Sequence, residues 1–279
     1  MQLSVRLCRY ELQRITEPNL IYAALTFWLM LVIFAGIGVY RLWCGLGKPA
    51  WVNWALLPGT VVSEMGYIFG CLITGGEVRR ARLMGQSGGP TDDGEPTAEL
   101  SGGLKYLGPI VAALVAIIAC VAAVIGCHKL LGGPVVGEFI TAGGMLSVAS
   151  LPEKLPTSWD LLWSQVSGQV TLVRRMCETW ARLDWLDWRV PVFVYVSLCL
   201  AVRLSPTGRP VRPTLAAAAG IALVIALVGL IWPGLSSIVQ DIWPLLTYLW
   251  ASLLLALIIT ALALGLAYLV RVIAGKEDS

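Results

Sequence analysis

Long apolar runs separated by short polar connections dominate this chain, and this pattern predicts transmembrane helices. A helix needs about 20 apolar residues to cross a bilayer. Six runs approach or exceed that length: Leu20–Leu42, Trp51–Thr74, Leu107–Leu131, Val190–Leu204, Leu215–Trp232 and Trp243–Ile273. The sequence therefore predicts an all-α polytopic membrane protein with about six transmembrane helices, built as a single integral membrane domain over residues 1–279.

Two connections between these runs are long, and their patterns differ. Residues 84–104 are rich in Gly, Pro and acidic residues, which predicts a mobile loop. Residues 159–188 interleave five Trp with Arg and Asp, and this pattern predicts an amphipathic helix lying in the membrane interface, where Trp is enriched. Residues 133–150 are weakly apolar and interrupted by Gly, so the pattern leaves open whether this segment re-enters the membrane.

Composition and charge agree with the membrane assignment. The chain is 57% hydrophobic and 13% charged, whereas soluble domains carry about 25% charged residues. A net charge of +3 with no dense basic run gives no indication of nucleic-acid binding. Six spans put both termini on one side, and that side carries more Lys and Arg, so we expect both termini in the cytoplasm of a bacterial-type inner (plasma) membrane.

Cysteine spacing and the first residues bear on two processing features, disulfide bonds and a signal peptide. The seven Cys are odd in number and irregularly spaced, which argues against a disulfide framework. Residues 1–19 contain Arg and Glu and no long apolar stretch, which argues against a cleaved signal peptide.

The second apolar run contains an acid, Glu64, whose burial in hydrocarbon costs about 2.5–3.5 kcal/mol. On a helix over residues 57–74 the polar side chains share one face. That face, predicted to look into the bundle and to form a binding pocket, consists of Thr60, Ser63, Glu64, Tyr67, Cys71 and Thr74. The opposite face, predicted to meet lipid, consists of Val61, Val62, Met65, Ile68, Phe69 and Leu72. Pro58 and Gly59 weaken the helix just upstream and could widen a cavity there.

A resemblance to a known family starts from this run. The stretch "PGTVVSEMGYIFGCLITGGEVRRARL" resembles the motif region of site-2-protease-like integral membrane zinc metallopeptidases, which carry H-E-x-x-H on an intramembrane helix. Two other stretches agree: "WRVPVFVYVSLCLAVRLSPTGRP" is similar to a late helix of one branch, and "LKYLGPIVAALVAIIACVAAVIG" lies where that branch has its third helix.

The zinc ligands of that family are missing from this sequence. In H-E-x-x-H two imidazoles one turn apart hold Zn²⁺ while the Glu takes a proton from bound water. Here Ser63 and Tyr67 occupy the ligand positions and only Glu64 remains. The stretch directly after Pro206, residues 207–210, contains no Asp, and the next acid is Asp241. The resemblance therefore implies a degenerate member, a pseudoprotease, with no catalytic residue, no metal and no cofactor.

The single histidine, His128, follows Cys127 and precedes Lys129. Neighbouring residues on a helix point about 100° apart and chelate one ion poorly. We therefore interpret His128 as an interfacial side chain rather than a metal ligand.

The sequence leaves several functions open. The leading hypothesis is a catalytically inactive relative of the metallopeptidases, acting as a membrane scaffold or as a subunit of a membrane complex whose partners are the lipid bilayer and other membrane proteins. The alternative is a transporter or proton-linked subunit in which Glu64 exchanges protons, although we expect no second ionisable residue deep in another span, because Arg203 lies at a helix end where it can snorkel. An active zinc protease is disfavoured. Glu64 could also be protonated and hydrogen-bonded to Thr60 or Tyr67, holding two helices in register.

Overall fold

The computed structural model describes residues 2–74, 104–141, 151, 159–204, 211–231 and 235–274. Side chains are described within these ranges from residue 22 onwards, except at 104–107, 161–162, 211–215, 226, 229–231, 235–236, 271 and 274. Nearly all of the predicted loop 84–104 and the 142–150 part of the weakly apolar segment lie outside the described residues.

The described residues form helices and no strand, which confirms the all-α prediction. A π-helical turn, His128–Gly132, separates the fourth and fifth α-helices. The α-helices, in chain order, are α1 Gln2–Leu46, α2 Pro49–Ala55, α3 Leu57–Ile73, α4 Leu104–Cys127, α5 Gly133–Thr141, α6 Trp159–Arg182, α7 Arg189–Arg203, α8 Val211–Ile231 and α9 Leu235–Ala274.

Three helical segments in the described part are long and apolar enough to cross a membrane: Tyr22–Leu46, Gly108–Thr141 and Ser237–Val270. The α2–α3 pair passes the same test as a fourth, although the two helices are bent by 86°. The described helices are thus compatible with a membrane protein, but six spans are not confirmed. Helix α7 has 15 residues, fewer than a bilayer crossing normally needs.

The predicted span Trp51–Thr74 is interrupted at Leu56, between α2 and α3. Pro58, in the first turn of α3, has no N–H to offer the carbonyl of Trp54, and its ring clashes with a continuing helix. The predicted weakening by Pro58 therefore becomes a sharp bend. Gly59 does not widen a cavity, because the carbonyl of Cys199 and the side chain of Arg203 lie against it.

Helices α1 and α9 pack side by side and run in the same direction. In the contacts between them, the residue numbers rise together along both helices. The contacts, in order, join Trp28 to Trp250, Gly38 to Leu257, Trp43 to Thr260 and Gly45 to Leu264. One of them is a hydrogen bond, in which Trp43 Nε1 donates to Thr260 Oγ1 over 2.9 Å.

Large aromatic side chains fill the core where α5, α7 and α9 meet. Phe139, Phe193 and Tyr248 are fully buried. The Tyr248 ring lies 5.7 Å from each of the other two ring centroids, edge-on to Phe139. Such pairs contribute about 0.5–1.5 kcal/mol beyond the area they bury. We call these three residues the aromatic end of the bundle.

Helix α6 is the predicted amphipathic helix, but it ends at Arg182, and residues 183–188 form turns before α7. Its buried face, including Leu172, Met176 and Thr179, packs on the bundle. A neighbouring stripe of Trp159, Trp163, Val166 and Val170 is exposed. Exposed Trp and Val beside a polar face suit a membrane interface, so the interfacial location stays a prediction consistent with this exposure.

One arginine joins α6 to the end of α5. Arg175 donates from Nε to the carbonyl of Phe139 and from Nη2 to the carbonyl of Ile140, both over 2.7 Å. The last carbonyls of a helix have no partner within the helix, and charge-assisted bonds to such groups are stronger than neutral ones. Arg175 therefore caps the C-terminal end of α5 and links it to α6.

Candidate functional site

The two faces of α3 separate much as the sequence predicts. Of the predicted polar face, Tyr67 and Cys71 are buried and Thr60, Ser63, Glu64 and Thr74 are half-buried. Of the predicted lipid face, Val61, Met65, Phe69 and Leu72 are exposed, while Val62 and Ile68 are half-buried. The polar face looks towards neighbouring helices more than the apolar face does.

Two of the polar side chains bind their own helix. Thr60 Oγ1 donates to the carbonyl of Leu56 over 2.9 Å. Thr74 Oγ1 donates to the carbonyls of Gly70 and Cys71, over 3.1 and 3.0 Å. Such bonds to residues three or four positions earlier satisfy a hydroxyl locally. These two hydroxyls thus use their donors within α3 rather than on another helix or a ligand.

A row of glycines lies along α3 and brings other helices into backbone contact. A Cβ added to Gly70 would lie 2.5 Å from the Cα of Ala112, and one added to Gly66 would lie 2.9 Å from the Cα of Ala116. Their spacing is the small-xxx-small pattern that lets membrane helices approach closely. Helix α3 makes its most extensive contacts with α4. We call Gly59, Gly66 and Gly70 the glycine seam.

Tyr67 and Cys71, from the predicted pocket face, pack against this contact. They form a small buried cluster with Ala112 and Ala116 of α4. Two of the six predicted pocket residues therefore belong to a helix–helix interface. A binding pocket formed by all six stays a prediction.

The bend between α2 and α3 rests on α7. The carbonyl of Ala55, which a continuous helix would bond to Gly59, instead accepts a hydrogen bond from Tyr195 Oη over 2.7 Å and lies 3.5 Å from Cys199 Sγ. A Cβ at Gly59 would overlap the Cys199 carbonyl. Irregular backbone at membrane depth is tolerated where it is buried in protein, and α7 supplies that cover.

A buried charge lies beside the bend. Arg203 is only 6% exposed. Its Nη2 donates to Asn53 Oδ1 over 2.6 Å, and Tyr40 Oη donates to the same oxygen over 3.2 Å. The guanidinium carbon lies 5.3 Å from the Tyr40 ring centroid, within cation–π range. Three helices thus converge on one charged group.

The sequence does not predict this polar group. Its pattern predicts an Arg203 that snorkels from a helix end, whereas the structure buries Arg203 among α1, α2 and α7. A signal was present: Asn53 is a polar residue inside the apolar run that starts at Trp51. The pairing itself depends on a contact across 150 residues, which no local pattern encodes.

His128 lies in the π-helical turn, away from α3. Its ring centroid is 6.3 Å from that of Phe193, and its Nδ1 packs against Gly132. This Nδ1 is buried without a hydrogen-bond partner among the described residues. No group of three or more His, Cys, Asp or Glu side chains able to hold a metal occurs in the described part of the chain.

Comparison of this chain with protein-family models, curated proteins and solved structures finds no match. The resemblance to site-2-protease-like metallopeptidases therefore stays an interpretation of the sequence.

Proposed function

We propose that this chain is a non-catalytic integral membrane protein, a degenerate relative of the site-2-protease-like metallopeptidases, that acts as a scaffold or subunit of a membrane complex. The observation that carries the proposal is the close packing of the glycine seam. The helix that bears Glu64 is pressed against α4 at Gly66 and Gly70 and against α7 at Gly59. This packing suits a structural helix.

The residues at the degenerate motif support the same conclusion. A zinc peptidase needs two nitrogen ligands one turn apart and an open coordination position for water. Ser63 and Tyr67 occupy the ligand positions, and Tyr67 packs with Ala112 and Ala116. A phenol held among small apolar side chains is poorly suited to bind a metal. Glu64 then takes no part in hydrolysis.

The exposed surface supports partners within the membrane. Large apolar side chains are exposed on the outer face of α3 and along the second half of α9, among them Met65, Phe69, Leu262 and Leu266. The bilayer and other membrane proteins are the surroundings that such faces require. We place the chain in a bacterial-type inner membrane, as its sequence predicts.

A substitution at Glu64 tests the proposal. Glu64→Gln keeps the size of the side chain and removes the charge and the base. We expect the purified variant to retain the thermal unfolding midpoint and the co-purifying membrane proteins of the native chain. Glu138→Gln, the same change at a half-buried site on α5, is the matched control. Stoichiometric zinc in the native protein, together with peptide hydrolysis that Glu64→Gln abolishes, would overturn the proposal.

One observation favours a transporter as the second candidate. The α2–α3 pair is discontinuous and lies beside a buried Arg203, and broken helices of this kind build substrate sites in secondary transporters. In that case Glu64 would exchange protons. Proton flux into liposomes, measured for the native chain and for Glu64→Gln, separates the candidates: flux lost in the variant supports transport, and equal background flux supports the scaffold.

A further inference from the structure

We propose that α2 and α3 form a re-entrant hairpin, which enters and leaves the membrane on the side where α1 ends. The 86° bend alone is compatible with a broken span or with a hairpin. The two arrangements differ in the direction of α3. A broken span carries α3 onward, away from the end of α1, whereas a hairpin returns it to that side.

The direction of α7 relative to α1 follows from contacts through α9. Near the start of α7, Phe193 packs on Tyr248 of α9, two residues before Trp250, which packs on Trp28 of α1. Near the end of α7, the backbone of Val202 lies against Gly36 of α1. Residue numbers therefore rise together along α1 and α7, and the two helices run in the same direction.

Contacts at the bend locate the start of α3 along α7. The carbonyl of Ala55, the last residue of α2, lies against Tyr195 and Cys199. Beyond the bend, Gly59 lies against Cys199 and Arg203. The start of α3 therefore lies beside the second half of α7.

Helix α4 gives the direction of α3. It pairs with α3 in antiparallel order, Gly70 against Ala112 and Gly66 against Ala116. It then continues to the π-helical turn, where His128 reaches Phe193 at the start of α7. At about 1.5 Å per helical residue, Ala112 lies roughly 24 Å along α4 from His128, so the end of α3 lies far from the start of α7. Helix α3 therefore runs parallel to α7 and to α1.

The descending limb completes the hairpin. Helix α2 begins at Pro49, three residues after α1 ends. Asn53 meets Tyr40 of α1 through a hydrogen bond, and Ala55 lies deeper, at the Tyr195 level of α7. The chain therefore goes down through α2, turns at Leu56, and returns through the 17 residues of α3, about 25 Å at helical rise.

This arrangement revises the six-span interpretation of the sequence. With α2 and α3 returning to their own side, and with α1 and α9 parallel, the start of α1 and the end of α9 lie on opposite faces of the membrane. The hairpin also explains how a buried charge is held: its descending limb brings Asn53 to Arg203.

Thiol accessibility tests the hairpin. Cys177, on α6, is exposed and reports the side on which α7 begins. In a Cys177→Ser background, Lys48→Cys reports the entry of the hairpin and Thr74→Cys its exit. Sealed vesicles of known orientation are treated with a membrane-impermeant polyethylene-glycol maleimide, and labelling is read as a shift on a gel. Cys177→Ser alone gives the background from the other thiols.

We expect Lys48→Cys and Thr74→Cys to be labelled from the same side, opposite to the side that labels Cys177. Labelling of the two introduced thiols from opposite sides would overturn the hairpin. A thiol that reacts from neither side would also overturn the hairpin, because the hairpin places both of its ends at one membrane surface. Tryptophan fluorescence melting confirms that each variant is folded, and Ala50→Cys with Ile73→Cys replaces any variant that is not.

Discussion

The aromatic end and the glycine seam hold helices together by opposite means. At the aromatic end, Phe139, Phe193 and Tyr248 fill the space between helices with large rings. At the glycine seam, glycines have no side chain to separate the helices, and helix backbones touch directly at Gly66 and Gly70. We expect the first region to lose stability when atoms are removed and the second when atoms are added. Glu64 lies on the same helix, between Gly59 and Gly66, so the close packing around it depends on the small size of these glycines.

Removal of a ring should give the largest effect. Phe193 is fully buried between His128 and Tyr248. Phe193→Ala should lower the free energy of unfolding by about 3–5 kcal/mol, because the buried ring is lost and a cavity is left in its place. Phe69→Ala, at a side chain that is 63% exposed, should change it by less than about 0.5 kcal/mol. Unfolding in detergent, followed by tryptophan fluorescence, measures both. Equal losses would show that Phe193 is not part of a packed core.

Addition of one methyl group should give the next largest effect, at the seam. Gly70→Ala should cost about 1–3 kcal/mol, because its Cβ would lie 2.5 Å from the Cα of Ala112. Gly126→Ala, on α4 with nothing within 4 Å, should be neutral or stabilising by up to about 1 kcal/mol from helix propensity. Two variants of equal stability would contradict the backbone contact between α3 and α4.

Arg175 offers a test of how the amphipathic helix is attached to the aromatic end. Arg175→Met should cost about 1.5–3 kcal/mol, because two charge-assisted bonds to the carbonyls of Phe139 and Ile140 are lost. Arg174→Met removes only an exposed pair with Glu178 and should cost less than about 1 kcal/mol. The rate of protease cleavage within α6 measures how far each substitution destabilises this helix locally. Faster cleavage in Arg174→Met than in Arg175→Met would contradict the account.

Two tyrosine hydroxyls give the smallest contrast. Tyr195→Phe should cost about 1 kcal/mol, because its hydroxyl bonds the carbonyl of Ala55 at the bend. Tyr248→Phe should cost less, since its buried hydroxyl has no hydrogen-bond partner among the described residues. The same unfolding assay compares them. A larger loss in Tyr248→Phe would point to a hydroxyl partner at the aromatic end.

The sequence predicts the parts of this fold that follow from local periodicity. The helical class, the two faces of α3 and the amphipathic character of α6 all follow from which residues recur at helical spacing. The weakening at Pro58 is also local, because a missing N–H acts within one turn.

The sequence does not predict the parts that depend on which helix lies beside which. The seam is visible as Gly66 and Gly70 at the spacing of close helix packing, but the partner Ala112 is 42 positions away from Gly70. The same holds for Asn53 and Arg203, which meet only because α2 turns back beside α7. Apolar periodicity gives the length of a helix and leaves its direction and neighbours open. For this reason the sequence predicts one span over Trp51–Thr74, where the structure has two helices.

We propose that α3 serves as a packed structural helix and that Glu64 takes no part in hydrolysis. Both parts are tested by comparing Glu64→Gln with Gly70→Leu in the same membrane preparation, with folded yield, bound zinc and retained partner proteins as the measurements. We expect Glu64→Gln to match the native chain in all three, with no stoichiometric zinc in either, and Gly70→Leu to lose folded protein and partners. One zinc per molecule in the native chain, or a Gly70→Leu variant as stable as the native chain, would contradict the proposal.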